Sequence, residues 1–300
     1  MIEVNDLHKR YGGHPVLQGV TFSCRPGRVT GFLGPNGAGK STTLRILCGL
    51  ADADRGDALI DGLRYADHAH VGTRVGVMLD TSALHPGRTG REAARLVAMM
   101  TGRSRARADA LLEQVGLARA AGRIVGGYSL GMRQRLGVAL ALIGDPETLI
   151  LDEPVNGLDP EGIHWIRTLI RGFAADGGTV LVSSHLLNEV AATVDDVVII
   201  GEGRVVRQAS LADLTRSDQA VVVETLDLER LRAVLSRRGL AFEPAGSGLL
   251  VQAEPAVVGQ LLVEERIVPT ALVPSQRSTI EDVFLELTSQ VTESTEEVFA

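Results

Sequence analysis

Apolar residues along the chain follow two alternating rhythms. Short unbroken runs, as in "RVTGFLG" (28–34) and "TLILDEP" (148–154), have the length and β-branched content of strands buried on both faces. Other segments place apolar residues at helical spacing instead: Leu44, Leu47 and Cys48 within "KSTTLRILCGL" (40–50), and positions 136, 139, 140 and 143 within "GGYSLGMRQRLGVALALI" (126–143). Residues 89–144 read as mostly helical, and strands and helices alternate again from 146 to 208. Residues 1–27 read as short strands, with a further hairpin near "GDALIDG" (56–62). The pattern predicts an α/β fold with a buried parallel sheet, an antiparallel β subdomain and a helical subdomain.

Around "TRSDQ" (215–219) polarity rises and a new, smaller pattern begins. "AVVVETL", a helix near 227–238, "GLLVQA", another helix, "IVPTALV" and a helix from Ser278 to Leu287 predict an α+β appendage over 216–288. It becomes ferredoxin-like if "LAFEP" (240–244) supplies a further strand. The last residues, 289–300, are acidic and read as a disordered tail. Nowhere do about 18 apolar residues run uncharged, so the chain is not expected to span a membrane by itself.

The first strand–helix pair carries chemistry. From Gly34 to Ser41 the residues read Gly-x-x-x-x-Gly-Lys-Ser, between a strand end and a helix start. In that order the loop Gly34, Pro35, Asn36, Gly37, Ala38, Gly39, Lys40, Ser41 and Thr42 cradles phosphates with its backbone amides. Lys40 reaches the outer phosphates and the Ser41 hydroxyl joins a Mg²⁺ shell. The helix amino terminus adds partial positive charge at the same place. Composition sharpens the reading: the chain has only two lysines, Lys9 and Lys40, among its 30 basic residues. A lysine kept inside the loop suggests that the compact ammonium is wanted and the planar guanidinium is not.

Such a loop needs a carboxylate for Mg²⁺, and the strand in "TLILDEP" ends in one. Asp152 is placed to hold the ion, and Glu153, pointing differently, to act as general base toward the attacking water. A second anion site precedes it. Ser129 sits in a glycine-rich turn at the start of the 126–143 helix, where its hydroxyl and the backbone amides would bind an anion. One nucleotide cannot easily use both helix starts of one chain, so a dimer bringing this helix onto a neighbour's nucleotide is expected.

The order of these motifs resembles the ATP-binding cassette of ABC transporters over residues 1 to about 215. "GPNGAGKST" resembles the Walker A loop, "LILDEP" the Walker B strand and "YSLGMRQ" the signature, with Ser129 and Gly131 kept. "NGLDP" (156–160) resembles the D-loop, which brings Asp159 to the nucleotide; His185 resembles the switch histidine, and Tyr11 the aromatic residue that stacks on adenine. Departures are Tyr128, Leu130 and Met132 in the signature, and Asp80, near Mg²⁺, where the family has glutamine. Together with "STIEDVFLELT" (278–288), these variants resemble the bacitracin- and multidrug-type exporter ATPases. The resemblance implies an ATP- and Mg²⁺-dependent ATPase that works as a homodimer. It implies a separate transmembrane permease as partner and a cytoplasmic position on the inner face of the membrane.

Composition bears on the alternatives. A net charge of −7 and 3% aromatic residues argue against nucleic acid as partner. The runner-up, a soluble cassette acting on DNA or ribosomes, would carry paired cassettes, a coiled coil or zinc-binding cysteines. A stand-alone phosphotransferase is disfavoured by the signature and His185. Cys24 and Cys48 have no metal-ligand spacing and suit a reduced compartment. The arginine-rich "GRSRARAD" (102–109) reads as a solvated loop and helix start.

Overall fold

The computed structural model describes residues 1–185, 191–216 and 220–274. Among these the chain divides into two compact units, with the division between Ser210 and Leu211, slightly ahead of the polar stretch at 215–219. The expected helix from Ser278 to Leu287 and the acidic tail lie outside the described residues.

The first unit is organised by a six-stranded sheet in the order β5-β6-β7-β3-β8-β9. Its strands are β3 (Val29–Leu33), β5 (Val75–Met78), β6 (Thr148–Asp152), β7 (Thr179–Ser184), β8 (Asp196–Gly201) and β9 (Arg204–Ser210). The first five are parallel, and β9 closes the edge antiparallel to β8. Every residue of β3, β7 and β8 is buried, which is why these runs are apolar without alternation. Asp196, the one charged residue in these three strands, at the start of β8, is held by Arg25 and Arg28, whose guanidiniums keep its carboxyl below the usual range despite burial.

A three-stranded antiparallel sheet covers this core, with β1 (Ile2–Tyr11) between β2 (His14–Cys24) and β4 (Arg55–Ile60). The strands expected to be short over 1–27 are ten and eleven residues long. Register irregularities after Val4, Leu7 and Lys9 break the alternation that would have revealed the full length. The hairpin expected near 56–62 is reduced to a turn bridged between Ile60 and Leu63, because β4 pairs with β1 instead. Helix α1 (Lys40–Leu47) buries Leu44 and Leu47 between the two sheets, with Cys48 at its end. One core joins Leu7, Phe22, Phe32, Leu44, Ile60, Ile150, Leu181 and Val198. The rings of Phe22 and Phe32 stack across it, 5.0 Å between centroids.

Helices α2 (Gly90–Met100), α3 (Arg105–Gln114) and α4 (Leu130–Leu142) pack on one another within 89–144. Thr89 caps α2 in a reciprocal arrangement with Glu92. Helix α5 (Pro160–Ala175) follows β6 and starts on a proline, with Asp159 as its cap. Among the described residues no helix is long and apolar enough to cross a membrane.

The second unit runs strand, helix, strand, strand, helix, strand: β10 (Val221–Thr225), residues 228–238, β11 (Phe242–Ala245), β12 (Gly248–Val251), residues 255–264 and β13 (Pro269–Pro274). The order β11-β12-β10-β13 with all pairs antiparallel is the ferredoxin-like arrangement, and "LAFEP" supplies its extra strand. Val221, Val223, Leu249 and Val251 face Leu231, Leu235, Val258 and Leu262 in a core of its own.

Ile150 lies fully buried in β6, between β5 and β7. Ile150→Ala is expected to destabilise the first unit by about 3 kcal/mol, read as a lower urea midpoint.

Candidate active site

Three neighbouring strand ends assemble the site. Parallel register sets Leu33 beside Ser184 and Asp152 beside Ser183, so the segments following β3, β6 and β7 emerge together. After β3 the chain turns through Gly34 to Gly39 and enters α1 at Lys40. Gly34 has no room for a side chain: a Cβ there would lie 2.3 Å from the carbonyl oxygen of Ile200. Ala38 is buried, and the N–H of Gly203 donates to its carbonyl. The loop is therefore pinned against the end of β8 and the turn that leads into β9.

Lys40 folds back into this loop. Its Nζ donates to the carbonyls of Gly34, at 2.6 Å, and Pro35, at 3.1 Å. Burial pulls the ammonium below its ordinary range, while Glu153 and Asp152 oppose that shift. A small cleft of 220 Å³ opens here, lined by Asn36, Gly37, Gly39, Lys40, Ser41, Thr42, Val16 and Glu153. It holds a helix amino terminus, an ammonium with a donor to spare and two hydroxyls, which is the equipment for a phosphate chain.

Ser41 Oγ donates to Asp152 Oδ2 at 3.2 Å. A hydroxyl and a carboxylate at this separation suit Mg²⁺, which takes few protein oxygens and completes its octahedron with phosphates and water. Among the described residues no group of three or more His, Cys, Asp or Glu could hold a metal alone, so phosphate would have to complete the shell. Burial raises the Asp152 carboxyl above its usual range; hydrogen bonds from Ser183 and Ser41 oppose the rise and neighbouring Glu153 reinforces it. A cation beside Ser41 would relieve that cost.

Glu153 has φ 46°, in the left-handed region that non-glycine residues seldom enter. Its strained backbone is fixed on both sides. The Glu153 N–H donates to Ser183 Oγ at 3.0 Å, and Gln134 Nε2 donates to the Glu153 carbonyl at 3.4 Å. Ser183 in turn donates to Asp152 Oδ1, so one hydroxyl aligns both acids. Glu153 Oε1 lies 3.2 Å from His185 Nδ1, and Oε2 accepts from Asn156 Nδ2. The expected base and the expected histidine are thus in contact.

Other expected residues stand elsewhere. Asp80 lines a neighbouring cleft with Ser41, Arg45 and Asp152. Both its oxygens are engaged by Ser82, through N–H at 2.7 Å and Oγ at 2.8 Å, and these bonds lower its pKa. Tyr11, 48% exposed, ends β1 with Lys9 Nζ 5.3 Å from its ring centroid. Asp159 accepts the N–H of Gly162 as the cap of α5. Ser129 caps α4 by accepting the Met132 N–H at 3.2 Å, and neither it nor Gly131 lines the Lys40 cleft. Gly131 instead abuts Gly157 and Leu158 in the loop after β6.

Tyr128, which precedes the capping serine, is 3% exposed and donates from its hydroxyl to the Ala120 carbonyl at 2.8 Å. It fits only because residue 90 lacks a side chain, since a Cβ there would lie 2.3 Å from the hydroxyl oxygen. Ser183, Asn156, Gln134 and Gly90 escape a reading of the sequence. Each acts across the fold or through a turn, and only "VSSH" hints at Ser183.

Residues 17–156 match the family described as ABC transporter. Over 302 residues the chain is 36% identical to the Nod factor export ATP-binding protein I of Ralstonia nicotianae, covering 97% of this chain and 94% of the relative. It is 38% identical to the bacitracin transport ATP-binding protein of Bacillus licheniformis, over 73% of this chain and 72% of that one. The dimeric structure of a bacterial ABC transporter cassette superposes with a TM-score of 0.64 at 26% identity, covering 70% of this chain and 99% of the other.

Gly90→Ala is expected to destabilise the first unit by about 2 kcal/mol through overpacking against Tyr128. Adding Tyr128→Phe should restore part of the loss, a non-additivity that paired urea titrations would read.

Proposed function

The chain belongs to the ATP-binding subunits of ABC transporters, and from that premise we propose how this exporter-type ATPase works. Two copies close around two ATP molecules and drive a separate membrane permease, which holds the subunit on the inner face of the membrane. The observation that supports the reading is that the two helix starts expected to bind phosphate, at Lys40 and at Ser129, do not share a cleft. The first, at Lys40, has the ammonium, the hydroxyls and the Glu153 carboxylate on one cleft; the second is the start of α4, capped by Ser129, which does not line that cleft. Facing copies would bring each Ser129 onto the other's nucleotide.

In this reading the amides of residues 34–42 and the Lys40 ammonium bind the phosphates of ATP. Mg²⁺, held by Ser41 and Asp152, would neutralise charge developing between the outer phosphates. Glu153 accepts the proton of the attacking water, and His185, against Glu153 Oε1, steadies that carboxylate and the outermost phosphate. Tyr11 offers adenine the ring face that Lys9 does not cover. Asp159 orders the loop between Glu153 and α5, and Asp80 sits at the cleft beside Mg²⁺ with its oxygens held by Ser82. The cargo is set by the permease, in keeping with relatives named for Nod factor and bacitracin.

Glu153→Gln is expected to keep ATP affinity while lowering turnover by about a thousandfold, the scale of a lost general base. Titration calorimetry and phosphate release would separate the two. Lys40→Arg should fail together with Lys40→Ala, because the planar fork does not fit between the Gly34 and Pro35 carbonyls. Nucleotide binding by fluorescence would check that, and full activity of the arginine variant would contradict it.

A further inference from the structure

The loop between β6 and α5 controls the reactive carboxylate more tightly than its sequence suggests. A glutamate side chain has three torsions and ordinarily samples several rotamers. Here each carboxylate oxygen of Glu153 meets a different partner, His185 at Oε1 and Asn156 at Oε2. Each oxygen has two lone-pair sites, so one partner per oxygen fixes the carboxylate plane and still leaves an acceptor position for water.

Asn156 is itself held firmly. Its N–H donates to the Glu153 carbonyl at 3.3 Å, and the Leu158 N–H donates to the Val155 carbonyl at 3.2 Å, closing successive turns. Val155 is 6% exposed and anchors the loop from below. From above, Leu130 at the start of α4 lies over Gly157, where a Cβ would fall 2.1 Å from Leu130 Cδ2. The leucine that replaces a glycine in the signature therefore has a place to rest, on a glycine of the same chain. An amide on such a turn is a preorganised donor.

We propose that Asn156 is a positioning residue for ATP hydrolysis, acting through Glu153: its amide donor aims the carboxylate at the attacking water. The inference rests on Glu153 being the general base. It predicts that donor chemistry matters at 156 more than shape. Aspartate has the shape of asparagine but would set a second carboxylate against Oε2, reversing the interaction. Serine is smaller but keeps a donor.

The test compares Asn156→Asp, Asn156→Ser and Asn156→Ala in the full chain, with Glu153→Gln alongside, measuring kcat, KM for ATP and thermal midpoint. Asn156→Ala should lose roughly 10- to 100-fold in kcat, the cost of misaligning a reactive group. Asn156→Asp should lose more, Asn156→Ser less, with KM and the midpoint near those of the parent. A purely structural role would rank the variants by shape, sparing aspartate, and would move KM and midpoint together with kcat; that result overturns the inference. So does a kcat for Asn156→Ala within about twofold of the parent, since that is no misalignment at all. If Glu153→Gln itself keeps its turnover, the base assignment fails first, and the asparagine's role falls with it. If Glu153→Gln is inactive while Asn156→Ala is normal, only the positioning role is lost.

Discussion

The register of three parallel strands decides where everything reactive stands. With Leu33 beside Ser184 and Asp152 beside Ser183, the glycine loop, the two acids and His185 leave the sheet within reach of one another. A shift of one residue in β6 would carry Asp152 to the opposite face and away from Ser41. Burial on both faces is what prevents the slip, since residues 148–151 and all of β7 are enclosed. The fold thus spends its most apolar segments on holding polar atoms in place at their ends, the usual location of sites in open parallel sheets.

Those polar atoms form a connected set. Ser183 joins Asp152 to the Glu153 backbone, Gln134 joins Glu153 to α4, and Asn156 and His185 take the two oxygens of the Glu153 side chain. The strain of a left-handed glutamate is of order 1–3 kcal/mol, and these bonds over-determine it. Within one chain, the Gln134 bond and the packing of Gly131 on Gly157 and Leu158 connect α4 to the loop that carries Glu153.

Much of this was legible in the sequence, for reasons that differ by element. The helical face of Leu44, Leu47 and Cys48 and the apolar run before Asp152 are local signals, and the structure has both. The ferredoxin-like pattern was readable because every strand of the second unit is short and flanked by its own turns. The lengths of β1 and β2 were hidden by register irregularities, and the pairing of β4 with β1 by its distance along the chain. Tyr128 reads as an oddity until Gly90 is seen beneath its hydroxyl. Leu130 reads likewise until Gly157 is seen under it. Asn156 belongs to the stretch that resembles the D-loop, yet nothing in "VNGLD" shows that a glutamate with φ 46° meets its amide.

The central claim is that each nucleotide is shared by two chains, and the mixing of two damaged chains tests it. Ser129→Arg blocks the α4 helix start and leaves the Lys40 cleft intact; Lys40→Ala does the reverse. Either variant alone should be inactive, and an equimolar mixture should regain ATPase activity, because one composite site then joins an intact cleft to an intact helix start. The accompanying binding measurement should find monomer ATP affinity nearly unchanged in Ser129→Arg. A mixture that stays inactive while Ser129→Arg weakens monomer binding as severely as Lys40→Ala would place Ser129 on its own chain's nucleotide and contradict the shared site.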